Sequence, residues 1–578
     1  MARSLRVALA QLNVTVGDVA GNADLVEAAH ERARAADADL VVCSELALLG
    51  YPPRDLLSRE AAVERQLDAL DRVAAATADG PALVVGIADP VSPPGRALAN
   101  AAAVCRDGEV VARVAKRLLP TYDVFDEDRY FEPGAGAEPV EVAGVDVGAS
   151  VCEDAWNLPD LWSHPRYDAD PLGDLASAGA DLLVNVSGSP FHLGKGRFRE
   201  ELMGRHAAEH GRWLAFVNQV GGNDELVFDG GSFVVGPDGG VACRCAAFEE
   251  DLRVCDVPVG GGPFEGERDC APRISDRAEQ ARRAIALGVR DYVRKSGFED
   301  VVLGLSGGID SSVAACLAAE ALGAEHVLGV AMPARYTSDA STEDARAVAD
   351  ALGIDFQVLP IDDTFGAFLD HLAPPFEGEE STEPMPGTVE ENVQARIRGT
   401  TLMALANAFD RLVLTPDNKS EAAVGYCTLY GDTVGALAPL GDCRKGLVYD
   451  LADRINADVE PPGAASAPIP RRVVERPPSA ELRPDQRDED DLPPYAALDP
   501  IVEGYVEEGA SARDLVDEGH DPATVERVLR MLHRAEYKRW QVPPIVRLTP
   551  QAFGIGWRYP LAARYEALWD VGDERSTG

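Results

Sequence analysis

The strongest constraint on the fold is an alternation of short apolar runs with helical patterns, which occurs in two separate series along the chain. Runs such as RVALAQLNV and LVVCSEL favour strands, and the first series ends near Val259. A stretch rich in glycine, proline and charge follows, and Ser275 is the expected cap of a helix that opens the second series. The predicted organisation is an α/β domain at 1–260, a linker at 261–274, a second α/β domain at 275–570 and a disordered tail at 571–578.

Acidic residues outnumber basic residues by 97 to 54, which gives a formal net charge of −43. A surface this negative repels phosphate backbones, so nucleic acid is not an expected partner. Hydrophobic residues make up 46% of the chain, and no apolar run reaches the roughly 18 residues that a membrane span needs. The ten cysteines form no CxxC pair that would indicate a zinc site. We therefore expect a soluble, cytoplasmic protein with no membrane partner.

Lysine is scarce in this chain. It occurs only at positions 116, 195, 295, 419, 445 and 538, whereas 48 basic residues are arginine. An acidic surface with little lysine suits a cytoplasm with concentrated salt, where repulsion between carboxylates is screened. We therefore expect a halophilic source, although an arginine-rich genome would also make lysine scarce. Lysines that lie within motifs are candidates for functional roles.

The turn after the apolar run VVLGL has a composition suited to binding phosphate. Residues Ser306 to Ser312 read SGGIDSS and precede the helical pattern VAACLAAEAL. A strand, a glycine-serine turn and a helix N-terminus present backbone N–H groups to an anion. Asp310 requires a bridging cation if the ligand is a phosphate, and Mg²⁺ binds both kinds of oxygen. The Walker pattern is absent, and the turn instead resembles the pyrophosphate loop of ATP pyrophosphatases.

Motifs further along resemble the NAD synthetase family over roughly residues 276–560. They are ENVQARIR from Glu391, NKSE from Asn418, YGD from Tyr430 and EYKR from Glu536. The resemblance implies a Rossmann-like doubly wound parallel sheet on which ATP adenylates deamido-NAD and ammonia displaces AMP. It implies that Asp310 and Glu421 hold Mg²⁺. The implied ATP-binding residues are Gly304, Leu305, Ser306, Gly307, Gly308, Ile309, Asp310, Ser311, Ser312, Thr415, Lys445 and Ser479. The implied deamido-NAD-binding residues are Asn392, Glu421 and Lys538.

Two residues depart from this family pattern. The family usually has threonine and glycine before the NKSE motif, where this chain has Pro416 and Asp417. The neighbouring Thr415 is the residue that we expect to replace the missing threonine as a contact to ATP.

The first half of the chain supplies a candidate nucleophile. Cys152 ends the apolar run VDVGASV, Glu45 follows VVCS, and Lys116 precedes RLLPTYDVFDEDRYF. A thiol needs a base to become a thiolate, and a nearby lysine stabilises thiolate and oxyanion alike. This set resembles the triad of nitrilase-type amidohydrolases, which implies an α-β-β-α sandwich. In that family the glutamate is the general base, the cysteine is the nucleophile and the lysine stabilises the tetrahedral intermediate.

The resemblance covers roughly residues 4–260 and is strongest to glutaminase domains fused to NAD synthetases. It implies that Tyr122, Ser189 and Lys195 bind glutamine. A fused glutaminase would supply neutral ammonia to the adenylated intermediate. The implied reaction converts deamido-NAD, ATP, glutamine and water to NAD, AMP, pyrophosphate and glutamate, which makes the chain a carbon–nitrogen ligase. By the same resemblance we expect a homo-oligomer whose ligands are these small molecules.

Three other functions compete with this interpretation. A tRNA-thiolating ATP pyrophosphatase would need a basic face and cysteines near the loop, which the sequence lacks. A non-catalytic sensor of amides would not need Glu45, Lys116 and Cys152 together. A nitrilase acting on a different amide, with its ammonia consumed by another ligase, remains open.

We expect the folded state and the activity to require high KCl or NaCl. At a net charge of −43 the carboxylates repel one another most strongly in dilute salt, where the screening length is roughly 30 Å at 0.01 M. The melting temperature should therefore rise with KCl concentration. Full activity and an unchanged melting temperature in dilute buffer would contradict the halophilic interpretation.

Overall fold

The computed structural model describes residues 3–92, 94–158, 166–259, 268–376, 387–457 and 467–569. The chain divides into two compact units, Met1–Ser275 and Asp276–Gly578. The tail at 571–578 and the first part of the expected linker, up to residue 267, lie outside the described residues. The rest of that linker contains a short strand, Asp269–Cys270, which pairs with Val241–Arg244 of the first unit.

The first unit is built mainly from strands. In chain order they are β1 (Arg3–Gln11), β2 (Leu40–Val42), β3 (Ala82–Pro90), β4 (Leu98–Arg106), β5 (Glu109–Ala115), β6 (Val140–Val142), β7 (Val145–Val151), β8 (Leu182–Ser187), β9 (Trp213–Asn218), β10 (Val220–Asn223), β11 (Leu226–Asp229), β12 (Phe233–Val235), β13 (Val241–Arg244), β14 (Asp251–Val259) and β15 (Asp269–Cys270). The α-helices are α1 (Val19–Ala35), α2 (Glu60–Ala75), α3 (Pro171–Ser177) and α4 (Lys195–His210).

These elements form four layers. One sheet has the order β14-β1-β2-β3-β4-β5, the other has the order β15-β13-β12-β9-β8-β7-β6, and β10 and β11 form a separate hairpin. Neighbouring residues on a strand face opposite sides, so Val7 packs between the two sheets while Ala8 packs under α1 and α2. Helices α3 and α4 cover the outer face of the second sheet. The expected α-β-β-α sandwich is confirmed.

The second unit alternates helices with parallel strands and then becomes helical. Its elements are α5 (Arg277–Lys295), β16 (Asp300–Gly304), α6 (Ile309–Leu322), β17 (Val327–Ala331), α7 (Asp339–Leu352), β18 (Asp355–Val358), α8 (Asp362–Leu372), α9 (Gly387–Phe409), β19 (Arg411–Leu414), α10 (Lys419–Val424), α11 (Lys445–Ala457), α12 (Arg471–Glu475), α13 (Tyr495–Val502), α14 (Ala512–Asp517), α15 (Pro522–Arg534), α16 (Glu536–Arg539) and α17 (Glu566–Trp569).

The four strands of this unit form a parallel sheet with the order β18-β17-β16-β19. The chain runs outward from β16 to β18 and then returns to add β19 on the other side of β16. This reversal is the topological switch point at which open α/β sheets bind ligands beyond the carboxyl ends of their strands. The expected doubly wound parallel sheet is confirmed, and its switch point lies beside the SGGIDSS turn.

The predicted cap of the first helix in this unit is wrong by one residue. Helix α5 begins at Arg277, and its cap is Asp276, whose carboxylate accepts the backbone N–H of Glu279 over 2.6 Å. Serine and aspartate are both good caps, so composition alone did not separate Ser275 from Asp276. Among the described residues, no helix is both long and apolar enough to cross a membrane.

Candidate active sites

The first unit brings Glu45 and Lys116 into direct contact beside Cys152. Each of the three follows an apolar strand: Glu45 follows β2, Lys116 follows β5 and Cys152 follows β7. Lys116 Nζ donates to Glu45 Oε1 over 2.8 Å. Glu45 and Lys116 are 0% exposed and Cys152 is 4% exposed. Burial raises the pKa of the Cys152 thiol well above its usual value, the Glu45 carboxylate adds to the shift, and Lys116 opposes it. The resting thiol therefore needs a base.

A second glutamate, Glu127, completes the charge balance around Lys116. Lys116 Nζ lies 2.8 Å from both carboxylate oxygens of Glu127, which also accepts the hydroxyl of Tyr51 over 2.8 Å. Burial by itself lowers the pKa of Lys116, but the carboxylates of Glu127 and Glu45 outweigh it and hold that pKa well above its usual value. Lys116 is therefore a charged ammonium. Sequence reasoning missed Glu127, although it lies within the FDEDRYF segment.

Cys152 stands on a sharp turn at the end of β7. Its backbone φ is +40°, a value that residues other than glycine rarely adopt. A single 3-10 turn, Cys152–Ala155, begins at this residue. Asp154 fixes this turn because its carboxylate accepts the N–H of Val151 over 3.0 Å and those of Arg117 and Leu118 over 2.9 and 3.0 Å. The same side chain therefore holds both the nucleophile turn and the segment directly after Lys116.

The expected glutamine-binding residues differ in how they are engaged. The Tyr122 hydroxyl donates to both carboxylate oxygens of Glu153 over 3.0 Å. Lys195 Nζ donates to the carbonyl of Pro190 over 2.7 Å. Ser189 Oγ is buried and has no hydrogen-bond partner within the described residues. Ser189 lies on the loop that joins β8 to α4, and Lys195 is the first residue of α4, so two of the three expected contacts come from one short segment.

The second unit has a cavity of about 290 Å³ beyond the carboxyl ends of β16, β17 and β19. Its walls include residues 304–311, 330–333 and 414–417 together with Lys445 and Ser479. The cavity therefore contains most of the expected ATP-binding residues. Ser312 is buried beside it and donates its hydroxyl to the carbonyl of Gly308 over 2.8 Å.

The SGGIDSS turn can exist only with glycine at its second position. Gly307 has a φ of +81°, and a Cβ there would lie 2.1 Å from the carbonyl oxygen of Ser341. The Ser306 hydroxyl accepts the N–H of Gly308 over 3.3 Å, and α6 begins at Ile309. The positive end of α6 therefore lies at the cavity wall, as an anion site requires.

Asp310 and Glu421 both contact one buried lysine. Lys445 Nζ lies 2.7 Å from Asp310 Oδ2 and 3.1 Å from Glu421 Oε1. Asn418, the first residue of the NKSE motif, to which the sequence analysis assigned no role, donates to Asp310 Oδ1 over 2.9 Å and also caps α10. Burial raises the pKa of Glu421 to about 7, Lys445 opposes the shift, and the charge of Asp310 adds to it. These carboxylates are short of positive charge.

The departure at Pro416 and Asp417 adds another carboxylate to the cavity wall. Burial raises the pKa of Asp417 well above its usual value, and the charges of Asp432, Glu421 and Asp310 add to the shift. The hydroxyl of Thr415 is already engaged, because it donates to the carbonyl of Asp432 over 2.5 Å. A group of mutually repelling carboxylate oxygens fits a hard divalent cation such as Mg²⁺.

The remaining expected residues lie next to this cavity or on its wall. Ser479 is on the wall and donates to the carbonyl of Gln486 over 2.6 Å. Asn392 accepts the hydroxyl of Thr428 over 2.7 Å. Lys538 Nζ donates to the carbonyls of Gly425 and Cys427 over 2.8 and 2.7 Å. Glu421 is among the described residues that line the cavity, whereas Asn392 and Lys538 are not.

Lys419 belongs to the NKSE motif, but its described contacts are to other segments of the fold and not to the cavity. It is 0% exposed, and its Nζ lies 2.8 Å from Asp442, 2.9 Å from Glu507 and 2.7 Å from the hydroxyl of Thr549. These contacts connect the start of α10 to three distant segments of the second unit, at Asp442, Glu507 and Thr549.

The two halves of the chain match two family models. Residues 6–261 match the model described as carbon-nitrogen hydrolase, and residues 281–542 match the model described as NAD synthase. The fold and sites thus define an amide hydrolase joined to a nucleotide-dependent ligase.

The chain is 42% identical over 563 residues to the glutamine-dependent NAD(+) synthetase of Synechocystis sp., covering 97% of this chain and 99% of the relative. It is 43% identical over 568 residues to that of Rhodobacter capsulatus, covering 98% and 99%. The chain therefore belongs to the glutamine-dependent NAD(+) synthetase family.

Solved structures agree with this assignment. The glutamine-dependent NAD+ synthetase from Acinetobacter baumannii in complex with ADP has a TM-score of 0.74 and 35% identity, covering 99% of this chain and 100% of that one. The protein of the same description from Cytophaga hutchinsonii shares the fold, with a TM-score of 0.82, 20% identity, and coverage of 98% of this chain and 99% of that one.

Replacing Glu153 with glutamine should change how stability depends on pH. Burial raises the pKa of Glu153 to about 7 from 4.5, although hydrogen bonds from Tyr122 and Tyr167 oppose the shift. The contribution of this carboxyl to stability is therefore complete below pH 4.5 and is lost as the pH rises through 7. The wild type should lose about 3 kcal/mol relative to Glu153→Gln between these values.

The measurement is chemical unfolding of both proteins at a series of pH values in high salt. The exposed Glu64→Gln of the same unit is the matched control and should follow the wild type. Parallel pH profiles for Glu153→Gln and the wild type would show that burial does not raise the pKa of the Glu153 carboxyl.

Proposed function

We propose that this chain makes NAD from deamido-NAD with ATP and with ammonia released from glutamine. Glutamine and water would react at the first unit, and deamido-NAD and ATP at the second. The observation that carries the proposal is the pairing, on one chain, of a buried thiol beside Glu45 and Lys116 with a phosphate-type loop whose Asp310 contacts Lys445.

In the first unit, Cys152 is the proposed nucleophile. Glu45 takes the proton of the thiol while Sγ attacks the amide carbon of glutamine, and the ammonium of Lys116 stabilises the oxyanion. The carbon–nitrogen bond then breaks, Glu45 returns the proton to the leaving nitrogen, and ammonia departs from a glutamyl thioester. Glu45 next removes a proton from water, which attacks the thioester and releases glutamate and the thiol. Glu127 keeps Lys116 charged throughout and is a positioning residue.

The proposed glutamine contacts are Tyr122, Ser189 and Lys195. The unpartnered hydroxyl of Ser189 supports this role, because a buried hydroxyl without a partner is costly unless a ligand satisfies it. The ammonium of Lys195 suits the α-carboxylate of glutamine.

In the second unit, residues 306–312 at the start of α6 and the ammonium of Lys445 are the proposed phosphate contacts, with Thr415 and Ser479 on the cavity wall. Asp310 and Glu421 would hold Mg²⁺, which when bound offsets the charge of the ATP phosphates. The nicotinate carboxylate attacks the α-phosphorus of ATP and pyrophosphate leaves. Ammonia then attacks the acyl carbon, loses a proton and displaces AMP. Asn392, Glu421 and Lys538 are the proposed contacts to deamido-NAD.

The proposal also covers the setting of the enzyme. The charge of −43 and the six lysines support a salt-rich cytoplasm. We further propose that the two domains span 1–260 and 275–570 and that copies of the whole chain assemble into a homo-oligomer.

Replacing Cys152 with alanine should separate the two chemistries. Synthesis of NAD with glutamine should fall by at least about 1,000-fold, because no neighbouring group can form the thioester. Synthesis with high ammonium at alkaline pH should persist, since the adenylating residues are untouched. The measurement is the initial rate of NAD formation with each nitrogen source.

The half-buried Cys270→Ala of the same unit is the matched control and should retain both activities. Glutamine-dependent synthesis by Cys152→Ala at near the original rate would exclude the thioester mechanism. Loss of ammonia-dependent synthesis in a folded Cys152→Ala protein would contradict the division between the units.

Replacing Asp310 with asparagine should stop synthesis from either nitrogen source. Adenylation precedes the attack by ammonia, and the substitution removes a charge with little change in volume, so we expect both rates to fall by about 100-fold or more. Asp339→Asn, an exposed substitution at the start of α7, is the control. Near-normal ammonia-dependent synthesis by Asp310→Asn would show that this carboxylate does not hold the cation.

A further inference from the structure

Three side chains in the first unit converge at a place that the proposed reaction does not use. Asp170 precedes α3, and His206 and His210 lie on α4. One ligand atom from each lies within 4.8 Å of the others. Residues four apart on a helix share a face, so the two imidazoles project toward the same point.

The distances suit a bound ion better than direct hydrogen bonds. His206 Nδ1 lies 3.5 Å from His210 Nε2, and His210 Nε2 lies 3.8 Å from Asp170 Oδ2. Hydrogen bonds between such groups are normally about 2.7–3.2 Å long. Ligands about 2.0–2.1 Å from a tetrahedral zinc ion are separated by roughly 3.4 Å. Two of the three pairs are therefore separated by nearly the edge of a zinc-sized tetrahedron, and the third pair lies within 4.8 Å.

In His206 and in Asp170, the polar atom that points away from the cluster already has a hydrogen-bond partner. His206 Nε2 lies 3.0 Å from the carbonyl of Ala155, and because a carbonyl only accepts, the proton must be on Nε2. Nδ1 therefore carries the lone pair that faces His210. Asp170 Oδ1 accepts the N–H of Gly173 over 3.0 Å as the cap of α3, which leaves Oδ2 for the centre. Metal ligands in proteins are commonly oriented in this way by a second contact.

The environment keeps the ligands available. The His206 side chain is buried, and its Nε2 is already held by the carbonyl of Ala155. The side chain of His210 is 10% exposed and that of Asp170 is 49% exposed, which leaves an open side through which an ion and water can enter.

We propose that Asp170, His206 and His210 form a binding site for a divalent transition-metal ion of the zinc type, with water in the fourth position. Two imidazole nitrogens and one carboxylate oxygen favour Zn²⁺ over Mg²⁺, which prefers oxygen ligands alone. The ion would join the start of α3 to α4. Through His206 and the carbonyl of Ala155 it would also brace the turn that carries Cys152.

The test is Zn²⁺ binding by the full-length chain without an affinity tag. The protein is first stripped of metal by a chelator and is then kept in excess Mg²⁺, which occupies the proposed magnesium site at Asp310 and Glu421. Bound zinc is counted after gel filtration, and affinity is measured by competition with a chromophoric chelator. The wild type should bind one Zn²⁺ that His210→Gln does not bind. Asp170→Asn preserves the helix cap while removing the anionic ligand, and it should bind Zn²⁺ at least about tenfold more weakly.

His371→Gln, an exposed histidine of the second unit, is the matched control and should bind as the wild type does. Circular dichroism checks that each variant is folded. Equal zinc content in the wild type and in folded His210→Gln would overturn the proposal, and so would a wild type that binds no Zn²⁺. An unchanged affinity in Asp170→Asn would overturn the assignment of Asp170 as a ligand.

Discussion

Lys116 carries a full positive charge in the interior of the first unit, and the other features of the glutaminase site depend on how that charge is balanced. Its Nζ lies 2.8 Å from the carboxylates of both Glu45 and Glu127, and the side chain is 0% exposed. Removing one partner of such a buried pair costs about 3–5 kcal/mol, because a charge is left without compensation. The lysine therefore fixes the general base in place as well as stabilising an oxyanion. Lys445 has the same relation to Asp310 and Glu421 in the second unit.

Strand ends explain why these charged groups can meet. Strands β2 and β7 are almost wholly buried and β5 is partly exposed, and the polar residues that follow them lie where the strands end. Glu45, Lys116 and Cys152 follow three such strands, and the SGGIDSS turn follows β16 at the switch point of the parallel sheet. The scarcity of lysine on the surface makes the pattern visible, because Lys116, Lys419 and Lys445 are among only six lysines and are all buried.

Local patterns were sufficient to predict the two α/β units and the motif residues, whereas the layers of each unit were implied by the family resemblances. Apolar runs mark strands, and the motif residues stand beside them in the sequence. Side chains that act across long sequence separations could not be found in this way. Asn100 reaches Glu45 from 55 residues away, Asn418 reaches Asp310 from 108 residues away, and Glu127 lay in a segment already rich in acidic residues. The Asp276 cap was missed because serine and aspartate cap helices equally well. The engaged hydroxyl of Thr415 depends on the loop that carries Asp432, which the local sequence does not reveal.

The nitrogen of the NAD carboxamide comes from the side chain of glutamine, which the first unit hydrolyses. The most direct measurement supplies glutamine labelled with ¹⁵N in its amide, together with deamido-NAD, ATP, Mg²⁺ and a moderate excess of unlabelled ammonium, and determines the mass of the NAD formed. We expect most of the NAD to carry ¹⁵N in its carboxamide. Unlabelled NAD, formed while labelled glutamine is consumed or left intact, would contradict it.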